Sequence, residues 1–279
     1  MKCTWQTPEL SSVLDACTRR GIAVDLGYLS QRKAELKTEE TLLRSEIMDL
    51  CGEEFELSNE WQLGVVLFEK LGLRPAYRSK SGYKVGNDDL VEVDHPIIQR
   101  ILSYRTTTTG LRYIEQYERA AKHGRVHPNL SVTETGRICT SDPNVQSTPK
   151  SVRSILVADP RYTFVKADWR AMHLRLLANL SLDSELIKLF ADGSDPFVAL
   201  ASMLYSHDVS EITNAERSTT KAVTYALLYG GYCASLARRH HLAVEAVQEY
   251  RDACLRRFRG VKRWVRRVIE EARKNGSVF

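Results

Sequence analysis

No apolar run in the 279 residues approaches the length of a membrane span, and the N-terminus, MKCTWQTPEL, lacks the apolar core of a signal peptide. The chain also has no C-x-x-C pair. Its six cysteines, Cys3, Cys17, Cys51, Cys139, Cys233 and Cys254, are scattered. That pattern speaks against a disulfide frame or a zinc site and for free thiols in a reducing compartment. Internal repeats and low-complexity tracts are missing as well, so solenoids and compositionally biased tails are set aside. What remains is ordinary for a globular protein: 43% apolar and 27% charged residues, in a length that suits one large domain or two modest ones.

The net charge of +5 says less than its distribution. From Arg251 to Lys274 there are ten Lys or Arg against three Asp or Glu. In the same stretch Val261, Trp264, Val265, Val268, Ile269 and Ala272 follow helical spacing, so one face is expected to pack while the other carries Lys262, Arg263, Arg266, Arg267 and Arg273. Such a helix is either solvated surface or a footing for a phosphate-rich partner.

Along the chain, LDACTRRGIAVDLGYL reads as a short helix, a glycine turn and a strand through Ile22 and Val24. A long helix follows to Gly52, with Leu29, Leu36, Leu43 and Leu50 repeating every seven residues as if to pack on a neighbouring helix. Ser58 is expected to cap a second helix ending at Gly72. The loop RPAYRSKSGYKVGNDDL brings Arg74, Arg78, Lys80 and Lys84 ahead of its first acid, and a third helix covers HPIIQRILSYRTTTTGLRYIEQYERAAK despite its four threonines. After Gly124 short β-rich runs alternate with turn signals. YTFVKAD is the strongest strand candidate, ending on Asp168 and leading into WRAMHLRLLANLS, with Met172, Leu176 and Leu180 on one apolar stripe. Asp168 at that junction is either an N-cap or a metal ligand.

The segment AERSTTKAVTYALLYGG sets Arg217, Lys221, Tyr225 and Tyr229 at intervals of four. On one helix they fall within an arc of roughly 120° and span about 18 Å of rise. That length suits a nucleoside triphosphate, with the cations at the phosphates and the phenols at the base. Solvated cations beside half-buried tyrosines would give the same spacing. Thr213 and Glu216 form a capping box and Gly230-Gly231 a stop. Arg217 and Lys221 therefore stand in the first turns, where the helix dipole favours an anion.

Taken in order, TETGRICTSDPNVQ, KADWRAMHLRLLANLS and RSTTKAVTYALLYG resemble the polymerase domain of family A DNA polymerases, whose members show TATGR…PNLQ, DYSQIELR and R-x3-K-x7-Y-G. RRGIAVDLGYL, GEEFELSNEWQLGVVLFEKLGL and HPIIQRILSYR resemble its thumb-containing region, and the likeness runs from about residue 8 to the end. Phe197 in SDPF looks closer to the theta and nu branch. The resemblance implies an α+β right-hand fold: a palm segment at 1–27, a thumb at 28–118, palm at 119–190 and incomplete fingers at 191–279. It implies template-dependent nucleotidyl transfer, with Arg217 and Lys221 on the triphosphate, Tyr225 and His173 at the sugar and base, and Tyr229 and Gly230 by the templating base. Arg137 and Gln146 would meet the primer terminus, with Lys80 and Lys84 on the DNA backbone. Asp168 and the carbonyl of Trp169 would hold two Mg2+ ions. Primer-template DNA and deoxynucleoside triphosphates would be the partners of a monomer with no membrane association. An intracellular setting is expected, the nucleus ahead of the mitochondrion.

Several positions depart from the family pattern. Ala171, Met172 and His173 stand where relatives have Gln-Ile-Glu, Lys150 and Ser151 where many have an Arg, and Thr106 to Thr109 where basic residues are expected. The chain ends at KNGSVF, before the distal His-Asp-Glu motif that supplies the second metal carboxylate. This chain alone is therefore expected not to extend primers at a normal rate. A primer-template-binding protein without chemistry, or a truncated product, is the alternative.

Overall fold

The computed structural model describes residues 7–75, 78–79, 82–191 and 193–276. The chain folds as two compact units, Met1–Val165 and Lys166–Phe279.

In the first unit, Thr7 caps α1 (Pro8–Arg20) by accepting the Leu10 N–H. Gly21 follows with φ 64°, and a Cβ there would lie 2.3 Å from the Val126 carbonyl oxygen, so the chain turns at this point only with glycine. It passes into β1 (Ile22–Val24) and then α2 (Leu26–Cys51), which Asp25 caps and Gly52 ends in a left-handed conformation. Next come α3 (Glu60–Val65), continued by a π-helical turn at Val66–Lys70, a hairpin of β2 (Arg78–Ser79) and β3 (Gly82–Tyr83), a short α4 (Asn87–Leu90), and α5 (Pro96–Ala120). β4 (Arg125–Val126), β5 (Asn129–Val132), β6 (Ile138–Ser141) and β7 (Leu156–Val157) complete the unit. β1 is the centre of an antiparallel sheet ordered β4-β1-β7, and β5 pairs with β6 as a separate hairpin.

α2 packs along α5, and the heptad expectation holds for three of its four leucines. Leu29, Leu36 and Leu43 are buried, but Leu50 is 44% exposed, and Ile47 and Met48 fill the last turns. A straight α-helix drifts by about 20° per heptad, so the fourth leucine has rotated off the seam. The threonines of α5 are absorbed by side-chain bonding: Thr106 Oγ1 donates to the Leu102 carbonyl, and buried Thr107 to Glu39. Asn59, not Ser58, caps α3, because its carboxamide reaches the N–H groups of Trp61 and Gln62 while Ser58 bonds to Glu56. The basic loop also differs from expectation in containing the small β2-β3 hairpin.

Tyr117 is fully buried, and its hydroxyl lies 2.6 Å from Thr148 Oγ1, which itself donates to the Val145 carbonyl. Tyr117→Phe removes one bond and leaves the threonine satisfied. It is expected to cost about 1 kcal/mol in urea unfolding, the ordinary net value of a neutral hydrogen bond.

The second unit is helical: α6 (Met172–Ser181), α7 (Ser184–Lys188), α8 (Pro196–Tyr205), α9 (Asn214–Leu228), α10 (Cys233–Arg239), α11 (Val244–Arg257) and α12 (Arg259–Asn275). Its core gathers Leu174, Phe197, Leu200, Val223, Leu236, Val247, Tyr250 and Phe258. The strand expected at YTFVKAD does not form. Residues 162–168 join none of the described sheets, and Tyr162, Phe164 and Val165 are exposed; without a neighbouring edge strand-like composition does not make a strand. The Met172, Leu176 and Leu180 stripe of α6 is likewise half exposed; Leu174 and Ala178 are the residues that face the core. On α12, Val261 packs while Val265 and Ile269 are partly open. The five described cysteines are free thiols, and no described helix is long and apolar enough to cross a membrane.

Candidate functional site

α9 begins with the expected capping box. Thr213 Oγ1 accepts the Glu216 N–H, and Glu216 returns a bond to the Thr213 N–H at 2.8 Å. The helix ends at Leu228, so Arg217, Lys221 and Tyr225 stand on it while Tyr229 sits just past it, before Gly230 at φ 83°. The opposite side of α9 buries Thr220, Val223 and Thr224. The Thr224 and Tyr250 hydroxyls meet at 2.6 Å and tie α9 to α11; burial pushes the Tyr250 phenol far up, so it stays neutral.

The open side of α9 faces the starts of α8 and α6. Arg217 Nε donates to Asp195 Oδ2 at 2.7 Å, and the same carboxylate caps α8 by accepting the Phe197 N–H. Burial alone would raise the Asp195 carboxyl, but the Phe197 N–H and the Arg217 guanidinium outweigh it and hold it below the usual carboxylate range. Lys221 is exposed, has no acidic partner among the described residues, and holds Nζ 5.8 Å from the centre of the Phe197 ring. Tyr225 meets Phe197 edge-on at 5.4 Å and His173 at 5.6 Å, and His173 meets Tyr229 edge-on at 5.9 Å. The stripe thus becomes two cations followed by an aromatic corner built around His173.

Asp168 is exposed, and it is not an N-cap. α6 starts at Met172, after Ala171 turns the chain in the left-handed region (φ 50°, ψ 39°). The turn is held by Arg175 Nε on the Arg170 carbonyl and by Arg170 Nη1 on the Gly193 carbonyl. Burial pushes the Tyr225 phenol up, and the neighbouring Tyr229 and Asp168 act in the same direction. The described residues contain no group of three or more His, Cys, Asp or Glu that could hold a metal ion, so Asp168 belongs to no such cluster. One carboxylate and the Trp169 carbonyl are too few donors for a two-ion centre by themselves.

Arg137, Gln146 and Lys84 belong to the first unit. Arg137 and Lys84 are exposed. The Gln146 carboxamide accepts the Thr140 N–H and donates to the Ile138 carbonyl, which clamps β6, and the side chain keeps a second N–H and an exposed position for a further contact. Lys80 lies outside the described residues. Asp195 is the participant that sequence reasoning passed over. Its signal was legible as Ser-Asp-Pro, an N-cap followed by proline, but nothing local marks its pairing with Arg217.

The model of "DNA polymerase family A" matches residues 26–279, and the chain belongs to that family. It is 31% identical over 278 residues to the DNA polymerase I of Mycobacterium tuberculosis, covering 95% of this chain and 31% of that protein. With the thermostable DNA polymerase I of Thermus aquaticus it shares 30% identity over 284 residues, 96% of this chain and 34% of the relative. Among solved structures, the POL domain of Pol1 from M. smegmatis, in complex with DNA primer-template and dNTP, matches with a TM-score of 0.85 and 29% identity, over 95% of this chain and 49% of that one. The chain spans about a third of the length of these curated relatives. The α+β polymerase fold expected from the sequence is thereby established.

Proposed function

We propose that this chain serves DNA-directed DNA polymerisation and that the open side of α9 grips the incoming deoxynucleoside triphosphate. The observation that carries the reading is the order of groups along that side: the free cation Lys221 beside the Asp195-held Arg217, then the corner of Tyr225, His173 and Tyr229. Arg217 and Lys221 neutralise the triphosphate, and Lys221 offsets charge on the departing pyrophosphate as the primer 3′-hydroxyl attacks the α-phosphorus. The aromatic corner excludes water and stacks at the sugar and base. Family A polymerases generally use Mg2+; Asp168 and the Trp169 carbonyl would hold such an ion, which would supply charge neutralisation at the triphosphate when bound. In the same reading residues 28–118 are the thumb, 1–27 and 119–190 palm, and 191–279 fingers, with Arg137, Lys84 and the α12 cations on primer-template DNA.

The alternative is a primer-template grip without chemistry, carried by exposed cations such as Arg137 and Lys84. Asp168→Ala in the protein that carries this chain separates the two. Loss of primer extension with duplex binding intact supports the polymerase; extension unchanged by the substitution removes Asp168 from the reaction.

Sugar selection tests the aromatic corner. His173 can block a 2′-hydroxyl by bulk, yet its imidazole can also donate a hydrogen bond to it, which a carboxylate cannot. Tyr225 places a phenol near the 3′ position. We expect ready dideoxynucleotide incorporation, reduced by Tyr225→Phe, and weaker ribonucleotide exclusion than in His173→Glu. Single-nucleotide incorporation with deoxy, dideoxy and ribo substrates measures both. Unchanged ribonucleotide selectivity in His173→Glu refutes the gate.

A further inference from the structure

The first turn of α8 reaches three of the four residues in the α9 stripe. Asp195 and Phe197 flank Pro196, whose ring fixes the backbone between them. Asp195 accepts the Phe197 N–H on one carboxylate oxygen at 2.9 Å and Arg217 Nε on the other at 2.7 Å. Phe197 is 2% exposed and belongs to the core of the second unit. The Lys221 ammonium nevertheless lies 5.8 Å from its ring centre, and Tyr225 meets the same ring edge-on at 5.4 Å. Tyr225 in turn meets His173. One fixed ring therefore serves both the phosphate end and the sugar end of the stripe, and it is itself too buried to touch a ligand.

We propose that Phe197 is a positioning residue for the nucleotide grip: it holds Lys221 and Tyr225 in one register, so that triphosphate and sugar are seated together. This role rests on the α9 reading above. A lysine on an exposed helix face gives up much rotamer freedom when it is fixed on a ligand. An acidic neighbour would fix it beforehand but would take up its charge, as Asp195 does with Arg217. The negative face of an aromatic ring attracts the ammonium and leaves its charge available to a phosphate. Edge-on packing orients the Tyr225 ring through the same charge distribution. Lys221 and Tyr225 stand one turn apart, about 6 Å of rise, so a single ring at the foot of α8 reaches both.

The test is equilibrium binding of a deoxynucleoside triphosphate, with single-turnover incorporation of deoxy and dideoxy substrates, in the protein that carries this chain. Phe197→Leu keeps an apolar side chain in the core and removes the ring. It is expected to weaken nucleotide binding about two- to fivefold, the range of one exposed cation–π contact. Its ratio of dideoxy to deoxy incorporation should fall toward that of Tyr225→Phe. In a Lys221→Ala background the same substitution should cost almost nothing further in affinity, because the ring acts through the ammonium. A 3,4,5-trifluorophenylalanine at position 197 keeps the shape of the ring and drains charge from its face. It should weaken nucleotide binding with the urea midpoint unchanged, which sets the role apart from damage to the fold. Unchanged affinity in both variants overturns the proposal. So does an unchanged dideoxy ratio in Phe197→Leu, or a loss of affinity that is undiminished in the Lys221→Ala background. If Lys221→Ala leaves nucleotide binding intact, the α9 reading falls and this role with it. If Lys221→Ala is severe and Phe197→Leu is silent, this role alone falls.

Discussion

Replacing Lys221 by alanine is expected to lower nucleotide incorporation about 100- to 1,000-fold in the protein that carries this chain, the range seen when one preorganised charge-stabilising group is removed. The size of the effect follows from what its neighbour is doing. Arg217 is already engaged by Asp195, so a triphosphate that reaches it exchanges one anion for another and gains only the difference. Lys221, which has no acidic partner among the described residues and lies over the face of Phe197, gives its charge to the nucleotide in full. Arg217→Ala should accordingly cost less than Lys221→Ala, and Asp195→Asn, which keeps the cap on α8 while removing the competing charge, should strengthen nucleotide binding at low salt. Equilibrium binding of a nucleotide and single-turnover incorporation check the three variants together. Equal losses for Lys221→Ala and Arg217→Ala would show that Asp195 does not compete.

The second large effect concerns stability. Asp183 is 4% exposed, and its carboxylate serves three backbone donors, one in α7 and two at the start of α12. Asp183→Ala strands buried N–H groups at two helix starts and is expected to destabilise the second unit by about 3–5 kcal/mol. With a urea m-value of about 1–3 kcal/mol/M, the transition of that unit moves down by at least about 1 M. Gly260 is bound to the same contact: an added Cβ would lie 2.8 Å from Asp183 Cα, which no relaxation of a flexible side-chain end can relieve. Gly260→Ala should therefore also destabilise. The double variant should cost less than the sum, because both substitutions break the same junction.

How much of this was legible depended on how local the cause was. Caps and stops were readable because they lie within a few residues of each other, as with Thr213 and Glu216 on α9 or Gly52 after α2. The seam of α2 was readable until helical drift carried Leu50 out of it. The stretch YTFVKAD has the composition of a strand, but a strand is made by its neighbour, and composition does not reveal whether one is present. Asp168 looked like a cap because the left-handed turn at Ala171, which delays α6 to Met172, leaves no mark in an alanine. The cation end of the site was visible as a stripe. Its restraint was not: Asp195 and Arg217 are 22 residues apart, and only the packing of α8 against α9 brings them together. The aromatic corner needed the same help, since His173 reaches Tyr225 from another helix.

The unpaired stretch at 162–168 bears on how the chain behaves when concentrated. The Tyr162 N–H donates to the Asp159 carbonyl, and beyond it Phe164 and Val165 are exposed, apolar side chains of the kind that strand addition between molecules rewards. Lys166 interrupts the run with a charge and so acts as a gatekeeper against that self-templating.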